Sequence, residues 1–204
     1  MRIIFFCFFV FAISCNNNVS QNETNSKILS DTTTQKISTE DSKYHFLKND
    51  LFIDDSGNIA YRAYDQTVPE DVRNVFITTI YLDTGKTQLL FVIDTSTFEH
   101  LGELYYRDKK YVYYHFPMMD GGFFNIIKEA DLRTIRVLGK SWYAKDKHHI
   151  FCRGDILENA DYKTFTILPL ISEGDTVRWL GKDKNHVYDS NDTLDQQTLR
   201  DWNI

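Results

Sequence analysis

The chain has few cysteines, few prolines and no strongly basic run. Only 3 of its 204 residues are Cys and 3 are Pro. Lys and Arg number 23 against 29 Asp and Glu, a formal net charge of −6 that argues against nucleic acid and anionic lipid as partners. The apolar run at 3–13 is shorter than the roughly 20 residues of a membrane-spanning helix. A folded domain here must therefore be held together by packing rather than by disulfides.

The first residues have the form of an export signal. Arg2 supplies a positive start, the apolar run follows, and Ala12-Ile13-Ser14-Cys15 resembles a bacterial lipobox, with Ala12 where Leu is commoner. The resemblance implies cleavage before Cys15 and lipidation of that residue, with palmitate among its acyl chains. We predict a lipoprotein signal peptide over 1–14 and a protein held in the bacterial cell envelope, at the periplasmic face or the cell surface. An ordinary secretory signal with a coincidental Cys is the alternative.

The segment after this signal is polar. Residues 16–42 are rich in Asn, Ser, Thr and Gln and have no apolar periodicity. Such a stretch cannot bury enough surface to offset its ordering entropy, so we predict a lipidated Cys and a disordered tether over 15–42. The remaining residues, 43–204, are enough for one domain with a hydrophobic core. Since Cys7 would be removed and Cys15 modified, Cys152 would have no intrachain disulfide partner.

Two short phrases recur along this domain. The first phrase begins with Asp-Lys, and four residues after this Asp comes a β-branched residue followed by an aromatic residue. It occurs three times, at Asp108-Lys109, Asp146-Lys147 and Asp183-Lys184. The second phrase is an apolar residue, Asp, two variable residues and Thr, and it begins at Ile93, Ala130, Ala160 and Leu194. Internal repetition indicates an architecture of like units, so these residues are weak evidence for chemistry.

Each phrase predicts one local structure. Around Asp-Lys, an aromatic or β-branched run, a polar turn and a second such run are typical of a β-hairpin, in which Asp accepts backbone N–H bonds. A degenerate copy at 51–61 keeps this frame. The second phrase predicts a short helical turn capped by its Asp, which places an apolar residue such as Phe165 under the sheet. The expected fold is mainly β: repeated antiparallel β-hairpins in a meander, with short capped helical turns between repeats.

The sequence leaves two arrangements of the repeats open. Units of this size can stack linearly as a twisted array, or close radially like propeller blades. Irregular spacing and the small number of units favour an open β-meander.

The pattern resembles the bacterial DKNYY family. The segment Asp183-Lys184-Asn185-His186-Val187-Tyr188 is similar to the family's Asp-Lys-Asn-Tyr-Tyr phrase, and 160–165 and 94–98 are similar to its companion phrase. The resemblance covers about residues 93–204 and, more weakly, 43–92. It implies repeated β-structure and frequent envelope attachment, and it brings no established activity and no catalytic residues.

The residues that suggest chemistry are scattered among the repeats. His148, His149 and His186 are candidate metal ligands, but alignment places His149, His186 and Tyr111 in one slot, which favours a hairpin position. The repeated Asp residues lack the clustered oxygen ligands of a calcium loop. Cys152 near His149 suggests a Cys–His nucleophile, although a Cys one residue past an apolar strand position is usually inert. We therefore expect no catalytic, cofactor or metal site.

The least regular segment follows the first Asp-Lys. From its Asp to the Asp of the next second phrase takes 23 residues, against 15 and 12 in the next two units. The excess, 116–124, holds Met and Phe around Gly121-Gly122. An inserted tip of this kind is a candidate partner-binding surface, or alternatively the cover of a sheet edge. The predicted surface consists of Tyr113, Met118, Met119, Phe123 and Phe124.

Three functions are open at this point. The preferred one is an envelope lipoprotein with a non-catalytic binding or structural β-repeat domain, whose partner is an envelope protein or polymer. The second is an envelope hydrolase or other enzyme, in which His, Asp or Glu residues converge in a cleft. The third is a glycan-binding module that stacks Tyr and Trp on sugar rings, with Trp142 and Trp179 as reporters. The first is preferred because no Gly-x-Ser-x-Gly, His-Glu-x-x-His or phosphate loop occurs in the sequence.

Overall fold

The computed structural model describes residues 43–70, 73–82 and 85–204. The predicted signal peptide and tether, with Cys15, lie outside the described residues. Within the described ranges, no helix is long and apolar enough to cross a membrane.

The described strands form four sheets, numbered I to IV here in chain order. Sheet I consists of β1 (Tyr44–Lys48), β2 (Leu51–Asp54), β3 (Ile59–Tyr64) and β4 (Asn74–Ile77). Sheet II consists of β5 (Thr79–Leu82), β6 (Gly85–Gln88), β7 (Glu99–Gly102), β8 (Tyr105–Arg107), β9 (Val112–Phe116) and β10 (Phe123–Ile126). Sheet III consists of β11 (Arg136–Val137), β12 (Tyr143–Lys145), β13 (Ile150–Cys152) and β14 (Asp155–Ile156). Sheet IV consists of β15 (Thr166–Ser172), β16 (Asp175–Lys182), β17 (Val187–Asp189) and β18 (Asp192–Thr193). A 3₁₀ turn (Leu89–Phe91) and one short helix, α1 (Gln196–Asp201), complete the described elements.

The predicted hairpins are confirmed. The pairs β2–β3, β8–β9, β12–β13 and β16–β17 are antiparallel and enclose the expected polar turns. In sheets I, III and IV the strand order follows the chain, so each sheet is a four-stranded meander with the hairpin at its centre. The mainly β fold of repeated antiparallel hairpins is therefore confirmed.

The second phrase forms the predicted capped turn. The N–H groups of Thr164 and Phe165 donate to the carbonyl oxygen of Asp161 at 3.1 and 2.9 Å, which closes a single helical turn. In the last copy the turn continues into α1, where the Asp195 carboxylate caps the helix by accepting the Thr198 N–H at 2.7 Å. The apolar residue after each of the first three turns is buried: Phe98, Ile135 and Phe165.

Three buried clusters lie between consecutive sheets. One joins sheets I and II, the next joins II and III, and the last joins III and IV. Successive strand residues point to opposite faces, so Tyr106 and Tyr113 enter the first cluster while their neighbours Tyr105 and Tyr114 enter the second. None of the three clusters of described residues joins sheet I to sheet IV. This agrees with the open meander that the sequence favours.

The insertion after β9 belongs largely to the fold. Strand β10 pairs antiparallel with β9 and parallel with β5, where Phe124 lies opposite Ile80. It therefore covers the edge of β9, the alternative role that the sequence left open. The ring of Phe124 packs at a centroid distance of 4.4 Å from Tyr61 and 6.2 Å from Tyr113, inside the cluster between sheets I and II.

This placement corrects the predicted partner-binding surface. The prediction that Tyr113 and Phe124 belong to it is wrong, because both side chains are 0% exposed. Phe123 is half-buried and stacks on Phe116 at 5.4 Å. Met118 and Met119 remain exposed, at 48% and 66%. Of the five residues of the predicted surface, only these two methionines are largely exposed.

His115, in β9, makes the fold sensitive to acid. The ring is buried against Tyr61, its Nε2 lies 2.8 Å from the Gly121 carbonyl oxygen, and burial lowers its pKa below the ordinary 6.5. The imidazole of His115 therefore binds a proton more readily in the unfolded chain than in the folded protein. The contribution of neutral His115 to the free energy of unfolding is fully present above pH 6.5 and decreases as the pH falls below that value. Urea unfolding between pH 5 and 8 should show this decrease in the wild type. His115→Gln should show less of it, and equal pH dependence of the two proteins would contradict the assignment.

Candidate functional site

The Asp of the repeated Asp-Lys phrase is a buried structural acceptor. Asp183 is 4% exposed, and its Oδ1 accepts the backbone N–H groups of Asn185 and His186, both at 2.7 Å. Its Oδ2 accepts the Asp161 N–H at 2.8 Å and the Tyr188 hydroxyl at 3.0 Å. Four donors thus converge on one carboxylate. We call this arrangement, with the second-phrase residues that it binds, the Asp latch.

The Lys of the phrase closes the same latch. The Lys184 N–H donates to Thr164 Oγ1 at 3.1 Å, and its Nζ lies 2.6 Å from Asp161 Oδ2. The second phrase, with Asp161 and Thr164, and the Asp-Lys phrase that follows it are therefore a single structural unit, although their two Asp residues are 22 positions apart.

The latch recurs in the other repeats. Asp108 accepts the Asp94 N–H at 2.7 Å, and Asp146 accepts the Asp131 N–H at 2.9 Å. The corresponding Lys-to-Thr hydrogen bonds and Lys–Asp ion pairs are present in both units. In the degenerate first copy, Asp54 is also buried and accepts hydrogen bonds within its own turn.

Hydrogen bonds keep the Asp183 and Asp146 carboxylates charged. Burial alone would raise the pKa of Asp183, but the N–H groups of Asp161, Asn185 and His186 hold that pKa below its usual value. The same balance holds the pKa of Asp146 below its usual value. The carboxylates that look most like site residues in the sequence are thus committed to the scaffold.

The structure places the candidate histidines at hairpin turns and Cys152 in the core. His149 and His186 occupy equivalent hairpin positions, with Nδ1 3.5 and 3.8 Å from a carboxylate oxygen of their own latch Asp. Among the described residues, no group of three or more His, Cys, Asp or Glu is placed to hold a metal ion. Cys152 is 0% exposed, and burial raises its pKa to about 12, so the thiol is neutral and shielded.

A groove between sheets III and IV is the strongest candidate site of the described residues. Its volume is about 680 Å³, within the range of roughly 300–1,000 Å³ that is usual for small-ligand sites. We call it the tryptophan groove. Its principal side chains are Trp142, Arg153, Arg178, Trp179, Asp189 and Asp192.

Buried tyrosines hold the backbone of the groove in place. The Tyr105 hydroxyl, from sheet II, donates to the Trp142 carbonyl at 2.9 Å and accepts the Gly154 N–H at 3.1 Å. The Tyr143 hydroxyl donates to the Ser190 carbonyl at 2.8 Å. Both tyrosine rings lie in the core, so the groove is fixed before any ligand arrives.

Guanidinium groups stack on indole rings in this groove. Arg153 Cζ lies 3.9 Å from the Trp142 ring centroid, and Arg178 Cζ lies 5.7 Å from the Trp202 ring centroid. Arg178 also pairs with Asp189, Nη1 to Oδ2, at 2.6 Å. Trp142 is 44% exposed, so a large part of its aromatic surface remains available to a ligand.

All three tryptophans of the chain lie in this groove or beside it. Trp142 and Trp179 line the groove, and Trp202 packs beside it on Arg178. Trp142 and Trp179 each lie four residues before the Asp of an Asp-Lys phrase, and this shared position is the sequence signal for the groove. Arg153 was not predicted as a site residue, because only the packing of the sheets brings it to the groove.

A second groove, of about 500 Å³, lies beside the latch of sheet III. Asp131 and Lys147, which line it, already form that latch's ion pair. Its exposed aromatic residue is Tyr111. Its described lining residues include no tryptophan, so it offers less aromatic surface to a ligand than the tryptophan groove.

Comparison with known proteins agrees with this repeat structure. A family model described as the DKNYY family matches residues 10–155 and 143–203. No curated protein and no solved structure gives a significant match. The matched ranges include the hairpins and latches of sheets II, III and IV. This chain belongs to the DKNYY family.

Proposed function

We propose that this protein is a membrane-anchored lipoprotein of the bacterial envelope whose β-repeat domain is a non-catalytic binding module. The tryptophan groove carries the binding part of this proposal. It combines exposed aromatic surface, charged groups and a fixed backbone. The repeated latches, by contrast, use their carboxylates inside the fold. An envelope polymer or protein is the partner that this location would supply.

The anchoring part rests on the first residues of the sequence. The apolar run, followed by Ala12-Ile13-Ser14-Cys15, supports lipidation of Cys15, and the polar segment to residue 42 would tether the domain near the membrane. The domain would then meet its partner close to the bilayer.

Cys15→Ser should release the protein from the membrane fraction. Serine cannot carry the acyl chains of a lipidated Cys, and each lost CH₂ removes about 0.8 kcal/mol of membrane binding. Fractionation of cells that produce the full chain would measure the distribution. Cys152→Ala is the matched control and should stay with the membrane, because Cys152 lies in the core. A Cys15→Ser variant that remains membrane-bound would contradict lipid anchoring through this residue.

A protein partner at Met118 and Met119 is the second candidate. Their exposure supports it, since flexible methionine side chains adapt to varied apolar partners. The enzyme hypothesis receives no comparable support, because the buried Cys152 thiol is shielded and protonated.

A further inference from the structure

We propose that the tryptophan groove binds an acidic polysaccharide, whose sugar rings stack on Trp142 and Trp179 and whose carboxylate pairs with Arg153. This inference rests on the proposed function, since it names the ligand class of the binding module. It is carried by two features of the groove: its exposed aromatic surface and the Arg153 guanidinium, which has no carboxylate partner among the described residues.

The mixture of side chains favours a sugar over a wholly apolar ligand. An apolar ligand would strip water from Arg153, Arg178 and Asp189 without replacing their hydrogen bonds, which is costly. A pyranose ring has an apolar C–H face and polar edges. It can cover the exposed indole of Trp142 while its hydroxyls bond with the charged groups.

The charges of the groove favour an acidic sugar. Arg178 is already paired with Asp189 at 2.6 Å. Arg153 stacks on Trp142 and, within the described part of the chain, has no carboxylate partner. Lys140 adds a further positive charge and Asp192 a negative one, so three cationic and two acidic side chains give the groove a formal net charge of +1, in a chain whose formal net charge is −6. A guanidinium presents two parallel N–H donors to a carboxylate, so Arg153 is suited to a uronic acid.

The two tryptophans of the groove come from different parts of the fold. Trp142 directly precedes β12, and Trp179 lies on β16, where it pairs with Pro169 of β15. Two indoles on different walls, Trp142 from sheet III and Trp179 from sheet IV, suit a ligand with more than one ring.

Intrinsic fluorescence tests this inference directly, because all three tryptophans lie at the groove. The full chain in detergent micelles would be titrated with a galacturonic acid oligomer. We expect a saturable change in emission. The methyl-esterified oligomer, which keeps the rings and loses the charges, should bind about tenfold more weakly or worse, the size of one lost charge-assisted contact.

Substitutions at the groove separate charge from stacking. Arg153→Gln should weaken binding of the acidic oligomer about tenfold, and Arg153→Lys should restore part of it. Trp142→Ala should weaken binding of both oligomers, because it removes the stacking surface. Arg133→Gln makes the same charge change at an exposed position outside the groove and should leave affinity unchanged.

Four results would overturn the inference: no binding, equal affinity for the esterified oligomer, equal affinity of Arg153→Gln, or equally tight binding of poly-glutamate. The last would show that any polyanion or acidic peptide suffices. Failure of the proposed function would give a different experimental result. A wild-type chain in the soluble fraction would contradict the envelope anchor, whereas membrane association without oligomer binding would overturn only the assigned ligand.

Discussion

Asp183→Ala should lower the free energy of unfolding by about 3–5 kcal/mol, because each buried donor left without an acceptor costs roughly 1–3 kcal/mol. Three N–H groups, those of Asp161, Asn185 and His186, lose their acceptor at once, whereas the Tyr188 hydroxyl keeps the Asn159 carbonyl oxygen within reach at 3.2 Å. Some of the N–H groups will bind water, which keeps the total below the sum of three full penalties. Urea unfolding followed by tryptophan fluorescence would measure the loss.

Two further variants make this result specific. Asp183→Asn keeps one acceptor oxygen but turns an amide donor toward the donors on the other side, so it should still cost about 2–3 kcal/mol. Asp175→Ala removes an exposed carboxylate from the same sheet and should change stability by less than about 0.5 kcal/mol. If Asp183→Ala were as mild as Asp175→Ala, the Asp latch would not stabilise the fold.

Phe124→Ala should be similarly destabilising, by about 3–5 kcal/mol, the usual cost of deleting a buried aromatic ring. The side chain is 0% exposed and lies within ring-packing distance of Tyr61, Tyr106 and Tyr113. Its loss would leave a cavity at the junction of sheets I and II. Thermal and urea unfolding would both report it.

Met119→Ala is the matched control for the same insertion. Met119 is 66% exposed, so its truncation should change stability by less than about 0.5 kcal/mol. Equal, small effects of Phe124→Ala and Met119→Ala would mean that the insertion is a surface tip after all.

The hairpins and capped turns could be predicted because they depend on local chemistry. Aromatic and β-branched runs, a turn Asp and a cap Asp each act within a few residues of chain. The Asp latch also had a sequence signal, the regular succession of the two phrases. Its geometry did not, since Asp161 reaches Asp183 only after two separate elements have packed together.

The faces of sheet II could not be assigned from the sequence alone. Tyr113 was predicted to be exposed, but sheet II has cores on both sides, so the run from Val112 to His115 is buried throughout. A strand buried on both faces does not show the alternation that marks a solvent face. The tryptophan groove could not be predicted from the sequence either, because it depends on how separate sheets pack. Trp142 and Trp179 were visible as repeat residues, while Arg153 joins them only through the contact of sheets III and IV.

Hydrogen exchange at the Asp161 amide tests the central claim, that the two phrases form one structural unit, most directly. In the wild type this amide donates to the buried Asp183 carboxylate and should be protected. In Asp183→Ala, which removes both acceptor oxygens, it should lose protection, together with the Lys184 amide of the same latch. The Asp131 amide, which donates to Asp146, should be affected less. Unchanged protection of the Asp161 amide in Asp183→Ala would contradict the latch.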